Sequence, residues 1–167
     1  MHPSQDIHKS LLRPAFTHAL ATSLQLGASI NLIAPHGLGR RRTVQDLRRI
    51  LPSGMRVLYA DIRFNTGDLP ALLKDLCTQA GLQGMHITNL ALLVEALASR
   101  TSPTLLILHN IDLLRPGSTH ARDPLFDTAL LSQLCRFADH PHLALLTVSE
   151  AVYPDWPLPC EPLPIPQ

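Results

Sequence analysis

Apolar residues along this chain come in two rhythms that take turns. Short solid runs, the pattern of strands buried on both faces, alternate with stretches where leucines return every third or fourth position, the pattern of helices with one face inward. Over residues 14–26 the spacing of Phe16, Leu20 and Leu24 predicts a helix, with Pro14 tolerated in its first turn and Gly27 as its stop. Residues 30–34 are apolar up to Pro35, and Gly37 and Gly39 then permit a tight turn into a helix over 40–51, which Pro52 and Gly54 terminate. Residues 56–62 have the Val, Leu, Tyr and Ile content of a buried strand, and Asp68 follows as the N-cap of a helix bearing Leu69, Leu72, Leu73 and Leu76. Thr88 or Asn89 caps the next helix, whose face is Leu90, Leu93, Val94 and Leu97, up to Arg100 and the break at Pro103.

Residues 104–108 are apolar on both alternating faces and predict the central strand. A polar loop over 115–123 leads to a predicted helix over 124–138, carrying Leu130, Leu131, Leu134 and Phe137 and closed by Pro141, and residues 142–148 form a fourth strand. The prolines of 158–165 fit either an edge strand or an extended tail. Residues 1–12 show no period and read as a loosely attached arm, which divides the chain into an arm over 1–14 and one domain over 15–167. Strands alternating with helices predict right-handed crossovers and an α/β fold, a parallel sheet between two helical layers. Ligands of such sheets bind beyond the carboxyl ends of the strands. That rule gathers residues 36–43, Asp61, 109–112 and 147–150 on one rim.

Composition narrows the picture. A length of 167 residues with 46% apolar and 16% charged positions supports one globular domain with a real core. A formal charge of +1 supplies no global field, so any affinity for anions must come from local clustering, such as the five arginines against one aspartate in residues 40–49. The three cysteines are far apart and include no C-x-x-C pair, so neither a disulfide framework nor a zinc site is expected and a reducing cytoplasm fits. Lys9, Arg13, Pro14 and His18 interrupt any secretory leader, and no run approaches the roughly 18 apolar residues of a membrane span.

Within the rim, residues 29–43 read S-I-N-L-I-A-P-H-G-L-G-R-R-R-T. This is the layout of a phosphate-binding loop, G-x-x-x-x-G-K-[ST], whose backbone N–H groups cradle phosphates, whose lysine reaches the terminal phosphate and whose hydroxyl holds Mg²⁺. Here Ala34 stands for the first glycine, Arg40 for the lysine and Arg41 for the hydroxyl residue.

Three stretches in order, N-L-I-A-P-H-G-L-G-R-R-R-T, L-L-I-L-H-N-I-D and L-A-L-L-T-V-S-E, each end a predicted strand. Together they resemble the Walker A, Walker B and sensor-1 segments of P-loop ATPases of the AAA+ and STAND group, especially origin-recognition-like and secretion- or transposition-associated ATPase domains. The resemblance covers about residues 15–165. It implies a three-layer parallel sheet of P-loop NTPase (AAA+ core) topology, with C-E-P-L-P-I-P as the fifth strand and no helical lid after it. It also implies ATP or ADP as cofactor. The phosphate site it points to comprises Pro35, His36, Gly37, Leu38, Gly39, Arg40, Arg41, Arg42 and Thr43, joined by Asp112 and Thr147; Thr147 and Ser149 match the family's sensor position, with finishing the strand as their alternative reading.

The departures from the family pattern are chemical. Arg40 keeps a positive charge, but its planar fork is not equivalent to an ammonium. Arg41 removes the hydroxyl and brings a cation toward the metal position, while Thr43 lies two residues further along the helix and points elsewhere. The Walker B Asp becomes His109 and the Glu becomes Asn110, which supply neither a hard oxygen ligand nor a base. Asp112 reads as a cap for the turn after the strand, with a water-bridged metal contact as its alternative. Weak Mg²⁺ binding and negligible ATP hydrolysis are therefore expected, because phosphoryl transfer depends on positioning and charge neutralisation. By resemblance, such a degenerate member of the family acts as a regulatory or scaffold subunit beside protein partners, supplying an interface or an arginine such as Arg115 to an active ATPase.

Two other readings compete. One is a slow but genuine ATPase using Arg40 and Asp112. The other is a nucleic-acid-associated module that grips phosphates through the arginines of residues 40–49, with Arg41, Arg48 and Arg49 on one broad helix face. His140 and His142 flank a proline without an acidic or cysteine partner and read as a surface turn. Cys77 and Cys135 fall on apolar helix faces and read as buried, inert thiols.

Overall fold

The structure, a computed structural model, describes residues 11–64, 68–115, 130, 132–153 and 159–167. Five strands form one sheet: β1 Ser29–Ile33, β2 Arg56–Asp61, β3 Thr104–His109, β4 Leu143–Ser149 and β5 Glu161–Pro164. Their spatial order is β2-β3-β4-β1-β5 and every pairing is parallel. All positions of β3 and β4 are buried, the outcome expected for strands covered on both faces.

Alternation along these strands builds two cores. Leu106, Leu108, Leu143 and Leu145 face one way, where helices α3 (Leu69–Ala80) and α4 (Leu90–Ala98) and the buried ring of Phe137 cover them. Leu105, Ile107, Ala144, Leu146 and Val148 face the other way, toward helices α1 (Pro14–Gln25) and α2 (Arg40–Ile50). The predicted three layers are present. Asp68 caps α3 by accepting from the Ala71 N–H at 3.0 Å, and of the two candidates for α4 the cap is Asn89, which accepts from the Leu92 N–H at 2.9 Å.

The proline-rich stretch resolves as an edge strand. In its register with β1, Pro162 and Pro164 lie opposite Asn31 and Ile33, and the Ile165 N–H donates to the Ile33 carbonyl at 2.8 Å. The predicted helix over 124–138 is described only in part: residues 132–134 are helical and Cys135–Asp139 is a 3-10 turn, while the loop beyond Arg115 and most of the helix, Leu131 included, lie outside the described residues. Residues 11–13 are fixed to the domain. Leu11 is buried, the Leu12 N–H donates to Asp46 Oδ2 at 2.8 Å, and Arg13 Nε donates to the Pro166 carbonyl at 2.7 Å.

The other edge, β2, is closed by a side chain. Gln79 on α3 accepts from the Tyr59 N–H and donates to the Tyr59 carbonyl, both at 2.8 Å, so an amide occupies the place where a neighbouring strand would pair.

Candidate functional site

The turn from β1 into α2 demands glycine. Gly37 and Gly39 have φ of 87° and 72°, and a Cβ on Gly39 would also press on Leu12 Cδ2 at 3.0 Å. Helix α2 then starts at Arg40, so its first amides have no acceptor within the helix and its positive dipole end faces the turn. Beside it the carboxyl ends of β2 and β3 close a cleft of about 400 Å³ lined by His36, Gly37, Gly39, Arg40, Arg41, Arg63, His109 and Asn110. Three guanidinium groups meet there. Among the described lining residues there is no carboxylate.

The acidic groups nearby are engaged with other partners. Asp61, at the end of β2, accepts from Arg63 Nη2 at 2.7 Å and from Asn110 Nδ2 at 2.8 Å. Burial alone would raise its pKa, but the bonds from Arg63 and Asn110 outweigh burial and hold its carboxyl below the usual range. Asn110 reaches Asp61 from a left-handed backbone, φ 59°, a conformation asparagine tolerates better than most residues. Arg40 Nη1 lies 3.4 Å from Glu150 Oε1, and the Glu150 N–H donates to Asp112 Oδ2 at 3.3 Å. Asp112 thus ties the turn after β3 to the end of β4. Burial pushes its carboxyl above the ordinary range, and its Oδ1 has no hydrogen-bond partner among the described residues.

His109 is 1% exposed, with Nδ1 3.0 Å from the Tyr59 hydroxyl and Nε2 without a partner among the described residues. Burial, opposed by Asp61 and reinforced by Arg40, Arg63 and Arg41, lowers its pKa from 6.5 to about 4. Near neutral pH the ring is uncharged. The end of β3 therefore offers the cleft two neutral side chains, His109 and Asn110.

Not every residue of the predicted site enters the cleft. The Thr43 hydroxyl donates to the Gly39 carbonyl at 3.2 Å and accepts from Arg13 at 3.3 Å, turned away behind the loop. Thr147 Oγ1 and Ser149 Oγ accept from Asn31 Nδ2 at 3.0 and 3.1 Å, a buried polar link between β4 and β1. Leu38 packs on the apolar core, and Pro35, though exposed, is absent from the cleft lining. Arg42 pairs with the buried Asp46 at 2.8 Å, and Arg49 lies 3.7 Å from the same carboxylate.

The arginine cluster consequently splits, which corrects the single broad face expected from spacing. Arg42 and Arg49 share Asp46 on one side. Arg41 and Arg48 line a second cleft, of about 510 Å³, with Tyr59, Asp61, Phe64 and Asp75, and the Arg48 guanidinium sits 4.9 Å from the Tyr59 ring centre. Arg41 belongs to both clefts. Arg63 and Tyr59 carry much of this geometry and were missed from sequence. The available signal was Asp61 at a strand end, followed two positions later by an arginine and preceded two positions earlier by a tyrosine.

Among the described residues no group of three or more His, Cys, Asp or Glu is placed to hold a metal ion. The His142 ring nitrogen Nε2 lies 3.0 Å from the Ala98 carbonyl. Cys77 is buried and its thiol is pushed up by burial, as expected of an inert core cysteine, whereas Cys135 is exposed because the chain there is a 3-10 turn rather than an amphipathic helix. The Arg115 guanidinium stacks on the Tyr153 ring at 3.7 Å within its own chain. No helix among the described residues is long and apolar enough to cross a membrane.

No family model matches the sequence, and no curated protein matches it. Solved structures do. Cdc6p from Pyrobaculum aerophilum is 19% identical with a TM-score of 0.55, the match covering 90% of this chain and 39% of that one. The ORC2 protein of Aeropyrum pernix, in ADPNP-ADP complexes, is 19% identical with a TM-score of 0.57 over 84% of this chain and 42% of that one. A chain from Drosophila ORC bound to DNA is 17% identical with a TM-score of 0.60 over 89% of this chain and 80% of that one. The chain thus spans about two fifths of each archaeal protein. The fold is that of the P-loop AAA+ core, a five-stranded parallel sheet flanked by helices.

Proposed function

We propose that this chain is a nucleotide-binding domain that holds the phosphates of ATP or ADP at the turn before α2 without hydrolysing them, and that it serves as a regulatory or scaffold subunit of a larger assembly. The observation that carries this reading is the end of β3. Where the family pattern needs a metal-binding carboxylate and a water-activating carboxylate, the neutral His109 and Asn110 stand against three arginines. Anion attraction survives such a change; positioning of Mg²⁺ and activation of water do not. Nucleotide in the Aeropyrum pernix structure supports the ligand class, and the Drosophila complex supports a role within an assembly. A reducing compartment such as the cytoplasm suits the cysteines, which are not joined in disulfides.

The test is phosphate release from purified protein with Mg-ATP, run beside equilibrium binding of a fluorescent ATP analogue. Binding without turnover is expected, with Arg40→Ala weakening binding roughly tenfold through loss of a charge-assisted contact. Sustained turnover abolished by Arg40→Ala would instead establish the competing slow ATPase, for which the unpartnered Oδ1 of Asp112 is the supporting observation.

A further inference from the structure

A nucleotide reaches the loop in one of two forms, alone or as its magnesium complex. The cleft discriminates between them. Arg40, Arg41 and Arg63 already supply positive charge, and a divalent cation brought among them meets repulsion without gaining ligands, because Mg²⁺ requires a near-octahedral set of hard oxygens. Asp61 is taken by Arg63 and Asn110, and Glu150 faces Arg40.

His109 adds the second observation. It is almost wholly buried, it lines the cleft, and its Nε2 has no partner among the described residues. In the tautomer in which the Tyr59 hydroxyl donates to Nδ1, the imidazole proton lies on Nε2. An N–H donor without an acceptor, behind a mouth of guanidinium groups, suits an oxygen of an anion and repels a metal ion.

Building on the nucleotide-binding reading, we infer that the cleft takes the polyphosphate chain free of its metal, with His109 Nε2–H donating to a phosphate oxygen and Mg²⁺ acting as a competitor for the ligand. His109 lies deep, so the bond forms as the exposed Arg41 turns outward onto the phosphates while Arg63 stays on Asp61. Tyr59 is a positioning residue that holds the imidazole in the donating tautomer. Inorganic tripolyphosphate and a nucleotide share the recognised chemistry.

Calorimetric titration of the chain with ATP, in EDTA and in excess Mg²⁺, tests this. Binding about tenfold tighter in EDTA is expected, the scale of one charge-assisted hydrogen bond. His109→Phe should remove most of that preference and Tyr59→Phe should weaken metal-free binding several-fold, while His109→Asp should shift the preference toward the magnesium complex. Thermal melting of each variant checks folding, and Tyr59→Phe, which keeps the ring, carries the test if a His109 variant fails to fold. Tighter binding in Mg²⁺, lost in Asp112→Asn, overturns the inference but leaves nucleotide binding intact. No binding in either buffer overturns the nucleotide reading itself. Tripolyphosphate binding as tightly as ATP assigns the site to polyphosphates in general, and a preference for ATP assigns it to nucleotides; both support a metal-free chain.

Discussion

At the scale of single residues, the site is a set of charges and protons kept in particular states by burial. His109 is the clearest case. Its pKa falls from 6.5 to about 4 on folding, so the folded protein keeps it neutral while the unfolded chain protonates. The stability tied to that neutrality is complete above pH 6.5 and is lost as pH falls from there toward 4. The loss is roughly 3 kcal/mol at most. Asp61, held below its usual range, acts in the same direction at lower pH, since its stabilising bonds are lost as it protonates. Urea unfolding at a series of pH values should show stability dropping through this window, and His109→Asn should flatten the upper part of the drop. Asp46 is the second test at this scale. It is fully buried and receives the Leu12 N–H, Arg42 and a nearby Arg49. Asp46→Ala leaves the Leu12 N–H without its acceptor and takes one carboxylate from Arg42 and Arg49, and a loss of about 2 kcal/mol is expected, read as a lower urea midpoint. The glycines of the loop were legible in the sequence because their backbone requirement is local. Asp46 was not, because one acid among five arginines looks like a solvated face until Leu12 is brought against it.

At the scale of elements, the rhythm of apolar positions located four strands and the starts of four helices to within a residue or two, since period follows from backbone geometry alone. What the rhythm left open was phase. Arg41 and Arg48 share one face of α2 and Arg42 with Arg49 another, and only the packing of α2 on the sheet decides which pair meets the clefts. The edge of β2 was also invisible, because Gln79 reads as one more polar position on α3. Gln79→Ala should cost about 1 kcal/mol in thermal or urea unfolding, and light scattering should rise on heating as an unpaired strand edge becomes available to a second molecule.

For the whole molecule, the two ends of the domain are tied together and to the site. Arg13 reaches both Pro166 and Thr43, and β5 shields β1, the strand that leads into the glycine turn before α2. Removing residues 160–167 should leave β1 as a bare edge and uncover the pocket of the buried Ile165, with about 3 kcal/mol or more lost in unfolding and weaker nucleotide binding as the loop loses its support. The sequence by itself determined the alternation of strand and helix, the glycine turn at 37–39 and the absence of carboxylates at 109 and 110, because these depend on residue type and on neighbours a few positions away. The tertiary structure alone decided that Arg63 and His109, 46 positions apart by their numbering, face one cleft, that Tyr59 holds the His109 ring and that Thr43 and Thr147 turn away from it. The physical reason is that a parallel sheet ordered β2-β3-β4-β1-β5 brings distant strand ends to one rim, and the direction of each side chain there follows from register and packing rather than from spacing.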